Sequence, residues 1–557
     1  MVDVTKEELA ANDGSSLVGF NHPGNEASST VLKELAYFIR PEQFGALGDG
    51  VADDTAAIQA ADDFAAVNGA EVRFAAKTYK TTAKISKDRK TTWRGEGVPF
   101  PVGTYNPGNA RVCGTIIFKA HSDHGVEVIG SSGYSESGAI FGIAISSDLN
   151  LYPTGDGFRI DLVGLMKFED CQVWSVGGNG FTNGVTNGDV TGHTQLRNCY
   201  VNNCGGKAFQ NRAKWSRLTQ CISDGCTHGF YGENSPETHI IDCHFEGFSV
   251  AGAEFGNGCG SSRFVGKTII ANTALAPCGV EIANDPGNFQ IDLTGVKLIG
   301  PSTITSITFS GPLSQATSAV LNTDWHATTG SYGIYFSDGS VRTATLTENS
   351  TSVSWSGAVT ASASAAAMAA PGTIAVSSSA RGTSLHSCEI YNWSTGILSA
   401  GPGLKVRDCY FYQCGLPIVS GQTDSHYHDN NFDGTPGLYE IEHAGGSDGI
   451  WTGNNFGPGK LIKPTVTGAQ GDFDGIRVSG NINYKTRNVV SLNMDSGVAQ
   501  SHGLVGEPIM VHLTPFSVGA TSPIAVVFTT DKNFTPVWSG VSPLGVNAEI
   551  FCKCDAI

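Results

Sequence analysis

Cysteine recurs at a fixed interval in this sequence. One series repeats every 22 residues (221 − 199 = 243 − 221 = 22) and a later one every 21 (409 − 388 = 430 − 409 = 21): Cys199, Cys221 and Cys243, then Cys388, Cys409 and Asn430. A constant period of this length is typical of structural repeats that stack on one another. The spacing therefore predicts a solenoid.

Each repeat also carries apolar residues at fixed distances from its Cys or Asn. Three residues before it stand Phe168, Leu196, Leu218, Ile240, Leu385, Val406, Tyr427 and Trp451. Two residues after it stand Val173, Val201, Ser223, Phe245, Ile390, Phe411, Phe432 and Phe456. These positions alternate with polar ones, which is typical of short β-strands with one buried face. A unit of this size cannot bury its apolar face alone, so stacking on its neighbours must form the core.

The pattern predicts an all-β protein whose main body is a right-handed parallel β-helix. Inward positions of successive coils then form ladders at the strand spacing of about 4.8 Å. The regular Leu/Asn consensus of a leucine-rich repeat is absent, and a propeller needs a longer period and antiparallel blades. With 71 Gly and 15% charged residues, the composition suits turn-rich β-structure. Most of the 14 Cys fall on ladder positions, where we expect free thiols packed as small apolar groups.

The chain is predicted to contain five segments. They are an N-terminal anchoring or neck segment (1–40), a β-helix with a capping helix (41–300), an inserted β-rich domain (301–380), the continued β-helix (381–490) and a C-terminal β domain for trimerisation or carbohydrate binding (491–557). The insert is inferred from a break in the ladder and from alternating strands around Asp338-Gly339, a hairpin signal.

A helix is predicted at the start of the β-helix, because the first coil of a solenoid needs a cap. Asp53 or Asp54 is its expected N-cap, and Ile58, Ala61 and Phe64 are its expected buried face. The basic run at residues 87–90 is predicted to face solvent.

Three stretches resemble bacteriophage tailspikes that depolymerise bacterial surface polysaccharide. Residues 44–59 (FGALGDGVADDTAAIQ) look like the N-terminal motif of pectate-lyase-like β-helix proteins. Residues 11–20 (ANDGSSLVGF) look like the linker that precedes this motif in many tailspikes. Residues 502–504 (HGL) and 511–515 (VHLTP), with Gly519-Ala520, are similar to tailspike C-terminal domains.

The resemblance implies a homotrimer of side-by-side β-helices, joined to a phage tail or adaptor protein through its N-terminus. It also implies a virion protein, made in the host cytoplasm, that degrades capsule or O-antigen at the bacterial surface. No active-site residue is carried over, because such tailspikes share no universal catalytic motif. We expect no signal peptide and no membrane insertion, since no stretch is apolar enough for either.

Candidate site residues lie on outward positions of the coils, where a long polysaccharide can bind. Aromatic rings stack on sugar faces, and carboxylates bind hydroxyls or transfer protons. The candidate substrate-binding residues are His244, Trp174, Tyr200, Asn202, Tyr391 and Tyr412.

Asp224 and Glu246 are the candidate catalytic pair, with Asp242 as a third candidate. The pair shares one outward column on consecutive coils, so the two backbones are expected about 5 Å apart. Glycosidases use two carboxylates about 5 to 9.5 Å apart, and the distance decides between retention and inversion. Such proximity also raises one pKa and leaves a proton donor beside an ionised partner.

Three functions remain open at this stage. The paired acids favour endo-hydrolysis. A polysaccharide lyase would instead use His244 or a Tyr to abstract the C5 proton of a uronic acid, and a non-catalytic adhesin would only bind sugar. The formal net charge of −17 disfavours nucleic acid and anionic membranes as partners. No metal site or cofactor is predicted.

Overall fold

The computed structural model describes the following residues of the chain: 19–21, 28–30, 37–97, 114–130, 137–161, 164–184, 192–271, 278–283, 290–300, 305–308, 317–320, 330–336, 341–347, 350–357, 365–369, 373–420, 424–434, 439–443, 450–457, 461–464, 477–479, 481, 487–492, 500–501, 508–515, 523–530, 533–538 and 546–552. By their internal contacts they form two compact units, Met1–Arg263 and Phe264–Ile557.

In the first unit the chain winds through coils of three short strands, which we call a, b and c in chain order. The a strands are Phe38–Ile39, Glu71–Arg73, Thr92–Arg94, Ser137–Phe141, Leu165–Glu169, Gln195–Arg197, Arg217–Thr219 and His239–Ile241. The b strands are Asp49–Asp53, Thr78–Thr81, Thr115–Lys119, Ile143–Ser147, Gln172–Trp174, Tyr200–Asn202, Ile222–Asp224 and His244–Glu246. The c strands are Ile85–Lys87, Val126–Ile129, Phe158–Asp161, Phe181–Asn183, Phe209–Asn211, His228–Gly232 and Ala251–Phe255.

Strands of the same letter pair in parallel and in chain order, so they form three sheets, a, b and c. This stacking of coils confirms the predicted parallel β-helix. A separate antiparallel pair, Gly19–Asn21 with Ser28–Thr30, precedes the coils. A further a strand, Arg263–Val265, begins at the last residue of this unit. Among the described residues, none of the helices has the length and apolar character to span a membrane.

The core of the first unit consists of stacked identical side chains, as the period predicts. Four cysteines of the ladder are free and at most 1% exposed: Cys171, Cys199, Cys221 and Cys243. Burial raises the pKa of the Cys199 and Cys243 thiols, which keeps them protonated and apolar. On sheet c, Phe181 stacks between Phe158 (centroids 5.1 Å apart) and Phe209 (5.6 Å).

The corner between an a strand and the following b strand has a left-handed backbone. Its residues have φ between 50° and 61° and are Gly142, Asp170, Asn198, Gln220 and Asp242. Gly, Asn and Asp tolerate this conformation better than other residues. The local backbone therefore accounts for much of the polar character of this column.

A helix, α1 (Thr55–Asn68), follows the short 3₁₀ helix Pro41–Phe44. Asp54 is its N-cap residue, but the Asp54 carboxylate accepts hydrogen bonds from Leu47 N (2.7 Å) and Gly48 N (3.1 Å) instead of from the helix. Ile58 and Ala61 are fully buried as predicted. Phe64 was wrongly assigned to the buried face and is 38% exposed, because six residues of α-helix turn it about 240° from Ile58.

Lys87 corrects a second expectation, since it is 2% exposed rather than solvent-facing. Its ammonium donates to Thr91 O (2.6 Å) and Thr91 Oγ1 (2.9 Å) beneath α1. Asp62 of α1 accepts from Trp93 Nε1 (2.6 Å) and Thr91 Oγ1 (2.6 Å) at the same place. Burial lowers the pKa of Lys87 to about 8. A buried polar cluster therefore fastens α1 to the first coils.

The second unit repeats the three-strand coil. Its further a strands are Asp292–Thr294, Ser384–His386, Lys405–Arg407, His426–His428, Ile450–Thr452 and Arg477–Ser479. The b strands are Thr268–Ile270, Lys297–Ile299, Glu389–Tyr391, Tyr410–Tyr412 and Asn431–Asp433. The c strands are Cys278–Ile282, Ile374–Ser378, Thr395–Ser399, Leu416–Ser420, Tyr439–His443 and Leu461–Pro464. Coil strands thus resume at Ile374, inside the range predicted for the insert.

From Asn430 onward, asparagine replaces the cysteine that Cys388 and Cys409 place at the ladder position of this unit. Asn430 Nδ2 donates to Asn454 Oδ1 (2.9 Å), and Asn454 Nδ2 donates to Asn481 Oδ1 (3.0 Å). The amides also bond to backbone carbonyls, Asn430 to Val406 O and Asn454 to Tyr427 O. Each buried amide is therefore satisfied by its neighbours, which a polar ladder inside a core requires.

Two antiparallel elements accompany the coils of the second unit. A six-stranded sheet contains Thr305–Thr308, Ser318–Val320, Gly330–Phe336, Val341–Leu346, Ser352–Trp355 and Ala365–Ala369. Gly330–Phe336 and Val341–Leu346 pair as the hairpin that Asp338-Gly339 predicts. Near the C-terminus, two three-stranded sheets contain Arg487–Leu492, Val546–Cys552 and Pro508–Pro515, and Gln500–Ser501, Asn533–Trp538 and Pro523–Thr530.

Candidate active site

Sheet b of the first unit brings together most of the predicted site residues. Tyr200 pairs with Ile222, which pairs with His244, and Asn202 pairs with Asp224. Ser223 pairs with Phe245, so Asp224 lies opposite Glu246 on the next coil. The flanking residues Val201, Ser223 and Phe245 are buried, and strand alternation turns their neighbours outward. The predicted register of the two acids is therefore the register of the structure.

Asp224 is half-buried and lies between a hydrogen-bond donor and a second carboxylate. Asn202 Nδ2 donates to Asp224 Oδ2 (3.1 Å) and also to the hydroxyl oxygen of Tyr200 (3.1 Å). Burial is the main cause that raises the pKa of Asp224, and the Glu246 charge raises it further. The bond from the Gly225 backbone amide opposes this rise most, followed by His244 and by the bond from Asn202. The net shift is in the direction that a proton donor requires.

Glu246 is held by a neighbour on its own strand. His244 Nε2 lies 3.3 Å from Glu246 Oε2, and both side chains are partly exposed. Tyr200, on the other side of Asp224, has a raised pKa, chiefly through burial and then through the Asp224 charge. Glu246 therefore lies beside the His244 imidazole, and Asp224 lies near the Tyr200 phenol, whose raised pKa keeps it neutral.

A glycine directly follows each of the two carboxylate residues. Gly225 and Gly247 follow Asp224 and Glu246 directly, with φ of 67° and 61°. A Cβ at Gly247 would collide with Asp224 Oδ1 and with the backbone of Gly225. Gly247 therefore combines a left-handed backbone with a close approach that only glycine permits, whereas a Cβ at Gly225 would make only ordinary contacts with Asn203.

The structure places two other candidates away from this group. Trp174 is 4% exposed and packs with Ile116 and Ala144, so its ring has no free face for a sugar. Asp242 is exposed at the left-handed corner (φ 52°). Within the described residues, it makes no hydrogen bond or ion pair with Asp224 or Glu246.

In the second unit, sheet b carries a cluster of three tyrosines that we call the tyrosine platform: Tyr391, Tyr410 and Tyr412. Tyr391 lies 5.9 Å from each of the other two rings, and Tyr410 and Tyr412 are stacked at 6.2 Å. All three are half-buried. Tyr410 is not one of the substrate-binding residues predicted from the sequence, although by repeat position it stands in the outward column that contains Tyr200 and His244.

Two carboxylates beside the tyrosine platform, those of Glu389 and Asp433, accept hydrogen bonds from its hydroxyl groups. Tyr391 OH donates to Glu389 Oε2 (3.0 Å), and Tyr410 OH donates to Asp433 Oδ2 (3.1 Å). Lys297 Nζ lies 3.3 Å from Glu389 Oε2 and 4.6 Å from the centre of the Tyr391 ring. Burial and the bond to Glu389 raise the pKa of Tyr391 to about 12. These contacts hold the rings in place, and they give the carboxylates of Glu389 and Asp433 hydrogen-bond partners.

Within the described part of the chain, no three His, Cys, Asp or Glu side chains are grouped so that they could hold a metal ion.

Comparisons with known proteins point to phage depolymerases. The "Depolymerase 1, capsule K30/K69-specific" of Klebsiella phage K5-2 is 53% identical over 53 residues, 10% of this chain and 6% of that protein. The "Depolymerase, capsule K30/K69-specific" of Klebsiella phage K64-1 is 25% identical over 246 residues, 44% of this chain and 25% of that protein. The chain is related to phage capsule depolymerases. The predicted resemblance is thereby confirmed.

The matched regions span only 6% and 25% of these two relatives. No family model matches the chain. A solved tailspike of Escherichia coli bacteriophage HK620 in complex with a pentasaccharide is 11% identical, with 98% of this chain and 99% of that chain covered and a TM-score of 0.46. The parallel strand pairing described above, and not this structural similarity, identifies the β-helix.

Proposed function

We propose that this protein is a phage tailspike that binds bacterial capsular or O-antigen polysaccharide and cleaves it by endo-hydrolysis. One observation carries the proposal: Asp224 and Glu246 project from adjacent rungs of sheet b, and the pKa of Asp224 is raised. Glycosidases use two neighbouring carboxyl groups, one of which acts as the acid, and a raised pKa suits that role. The names of the relatives support polysaccharide as the substrate class.

In this mechanism Asp224 protonates the glycosidic oxygen as the bond breaks. Glu246 acts on the anomeric carbon from the other side, directly or through a water molecule. One strand spacing of about 4.8 Å is nearer to the 5–5.5 Å of retaining enzymes than to the 6.5–9.5 Å of inverting ones. We therefore expect retention, with Glu246 as nucleophile. Asn202 and Tyr200 orient Asp224, and His244 orients Glu246.

The tyrosine platform is proposed to bind the polymer without reacting with it. Its three rings offer faces for pyranose stacking. The neighbouring carboxylates of Glu389 and Asp433 already accept hydrogen bonds from the platform's hydroxyl groups, so they are poorly suited to transfer a proton. Tyr391 and Tyr412 keep the substrate-binding role predicted for them, and Tyr410 joins them.

Digestion of purified capsule tests the reaction class. K30 and K69 polysaccharides are the first substrates to try, because both relatives are named for them. Reducing ends without unsaturated-uronate absorbance support hydrolysis. Absorbance together with reducing ends would indicate a lyase, and binding without either would indicate an adhesin. Asp224→Asn protein serves as the control for contaminating activity.

The assembly predicted from the resemblance also belongs to this proposal. We expect a homotrimer in the virion, attached through residues 1–40 to the phage tail or to an adaptor protein. The mass of the purified protein in solution tests the first point. Deleting residues 1–36, which leaves the first a strand Phe38–Ile39 in place, is expected to prevent incorporation into virions while leaving capsule cleavage intact.

A further inference from the structure

Trp215 is the exposed tryptophan of the first unit. Of the six tryptophans whose side-chain burial the structure describes, Trp215 is 42% exposed, whereas the other five are at most 6% exposed: Trp93, Trp174, Trp355, Trp393 and Trp451. Its ring stacks on His193 of the preceding coil, with centroids 5.1 Å apart and planes inclined by 21°. Both residues occupy left-handed corners, with φ of 57° for His193 and 56° for Trp215. A fixed, exposed aromatic face is therefore built into this corner.

Sheet a beside this corner carries positive charge. Arg217 is exposed, two residues after Trp215, and pairs in register with Gln195 and His239. Within the described residues, the Arg217 guanidinium has no hydrogen bond and no ion pair. Arg73, Arg94, Arg197 and Lys167 on the same sheet differ, because each lies within 4 Å of Glu71 or Glu169.

The pKa of His239 reflects the charged side chains around it. It is lowered first by burial and then by Arg217 and Arg263, and Glu237 opposes the two arginines only in part. Glu237 is the carboxylate of the corner column that faces this histidine. Arg217 is thus a cation without an ion pair among the described residues, on a chain whose formal net charge is −17.

We propose that Trp215, stacked on His193, and Arg217 form a binding site for an acidic saccharide on sheet a, apart from the acids of sheet b. The Trp215 ring covers the apolar face of one sugar, since indole buries much area with little loss of conformational freedom. The Arg217 guanidinium binds the carboxylate of that sugar or of its neighbour, in the bidentate geometry that arginine favours. The occupant is a uronate-bearing polysaccharide, which rests on the proposed function.

The site has a consequence for activity on long chains. Trp215 stands just before the a strand Arg217–Thr219, and the b strand that ends at Asp224 follows in the same coil. A polymer held at Trp215 therefore remains tethered to the protein while another segment reaches the acids. Loss of the site should therefore weaken action on long capsule and spare action on short oligosaccharides.

Binding is best measured in a cleavage-deficient Asp224→Asn background, which separates this proposal from the proposed hydrolysis. The probes are K30 and K69 capsules, a galacturonate octasaccharide, the same polymers after reduction of their carboxylates to alcohols, and dextran. Tryptophan fluorescence should change on binding at least one native acidic polymer. Carboxyl reduction should weaken that binding about tenfold or more, because it removes a charge-assisted bidentate contact.

Three variants decide the assignment. Trp215→Ala should weaken binding about tenfold, and Trp215→Tyr should restore most of it. Arg217→Gln should remove the preference for the native polymer over the reduced one. Arg73→Gln is the matched control, because Arg73 also lies on sheet a, is paired with Glu71 and covers the Phe38 ring. It should bind like the parent.

Several outcomes would overturn the proposal. They are absence of binding to every acidic probe, equal binding of native and reduced polymers, and unchanged binding by Trp215→Ala. A change of oligomeric state in folded Trp215→Ala would also overturn it, since the ring would then belong to a contact between copies. Circular dichroism checks that each variant is folded.

Discussion

Sheet b presents two groups of acids and aromatic residues, one in each unit, and the groups differ in what their carboxylates contact. In the first unit Asp224 lies opposite Glu246, so two carboxylates share one neighbourhood, and burial raises the pKa of Asp224. In the second unit Glu389 and Asp433 each accept a bond from a tyrosine hydroxyl, and both acids are exposed. The two groups therefore differ in structure: two carboxylates lie opposite each other in the first, and tyrosine hydroxyls donate to the carboxylates in the second.

The difference shows that position in the repeat does not define chemistry. Trp174, Asn202 and Asp224 stand in register with one another, yet one is buried, one is an amide and one is acidic. Under the proposed function, a catalytic carboxylate has a second carboxylate close by, as Asp224 has, whereas Glu389 and Asp433 accept hydrogen bonds from tyrosine hydroxyls.

The largest expected effect is on turnover. Asp224→Asn or Glu246→Gln should lower kcat by about 10³-fold, within the range of general acid–base contributions. The fold, checked by circular dichroism, and the oligomeric state should be retained. Asp242→Asn is the control, since Asn tolerates the left-handed corner and Asp242 does not contact the pair within the described residues. Full activity of both acid variants would refute the assignment, whereas a large loss in Asp242→Asn would restore it as a catalytic candidate.

A smaller effect is expected at the tyrosine platform. Tyr410→Ala removes the ring that contacts both Tyr391 and Tyr412, so KM for long polymer should rise about fivefold to tenfold with little change in kcat. Steady-state kinetics on purified capsule measure both constants. A fall in kcat as large as that of Asp224→Asn would mean that the two regions act as one site.

The pH profile distinguishes the two regions further. Asn202→Leu removes a hydrogen bond that lowers the Asp224 pKa, so that pKa should rise. Because Asp224 acts in its protonated form, the alkaline limb of kcat/KM should move to higher pH, by up to about one unit. A limb that stays in place would show that another group sets it.

The smallest effect is on stability. The pKa of Asp224 is higher in the folded than in the unfolded chain, so stability falls as pH rises from the unfolded to the folded value, and above it the penalty is complete. Asp224→Asn escapes this penalty and should raise Tm at pH 7 by about 1–2 °C. Asp433→Asn should not raise it. Calorimetry at pH 4 and pH 7 measures the difference, which should shrink at the lower pH.

The sequence was sufficient for the parallel coils and for the register of the acids. Cys199, Cys221 and Cys243 mark equal chain lengths per coil, and equal lengths place Asp224 opposite Glu246 without further information. The free, buried state of these cysteines follows from the same ladder. The hairpin of the second unit followed from Asp338-Gly339, a purely local signal.

Other features escaped the sequence because they depend on what covers a residue. Trp174 and Trp215 both stand next to polar residues in the sequence, yet the first is buried and the second exposed. Lys87 belongs to a basic run, but α1 lies over it and Asp62 is nearby. Asp242 was read as an outward acid, although its corner requires a left-handed backbone that Asp tolerates.

The period of the sequence by itself determined which residues stand above one another, since a coil of constant length returns the chain to the same face. Only the tertiary structure decided which of those stacked residues are buried and which have hydrogen-bond partners, because both depend on neighbouring coils and loops. Asp224 is an acid in either view. Its half-buried place between Asn202 and Glu246 is what gives it a raised pKa.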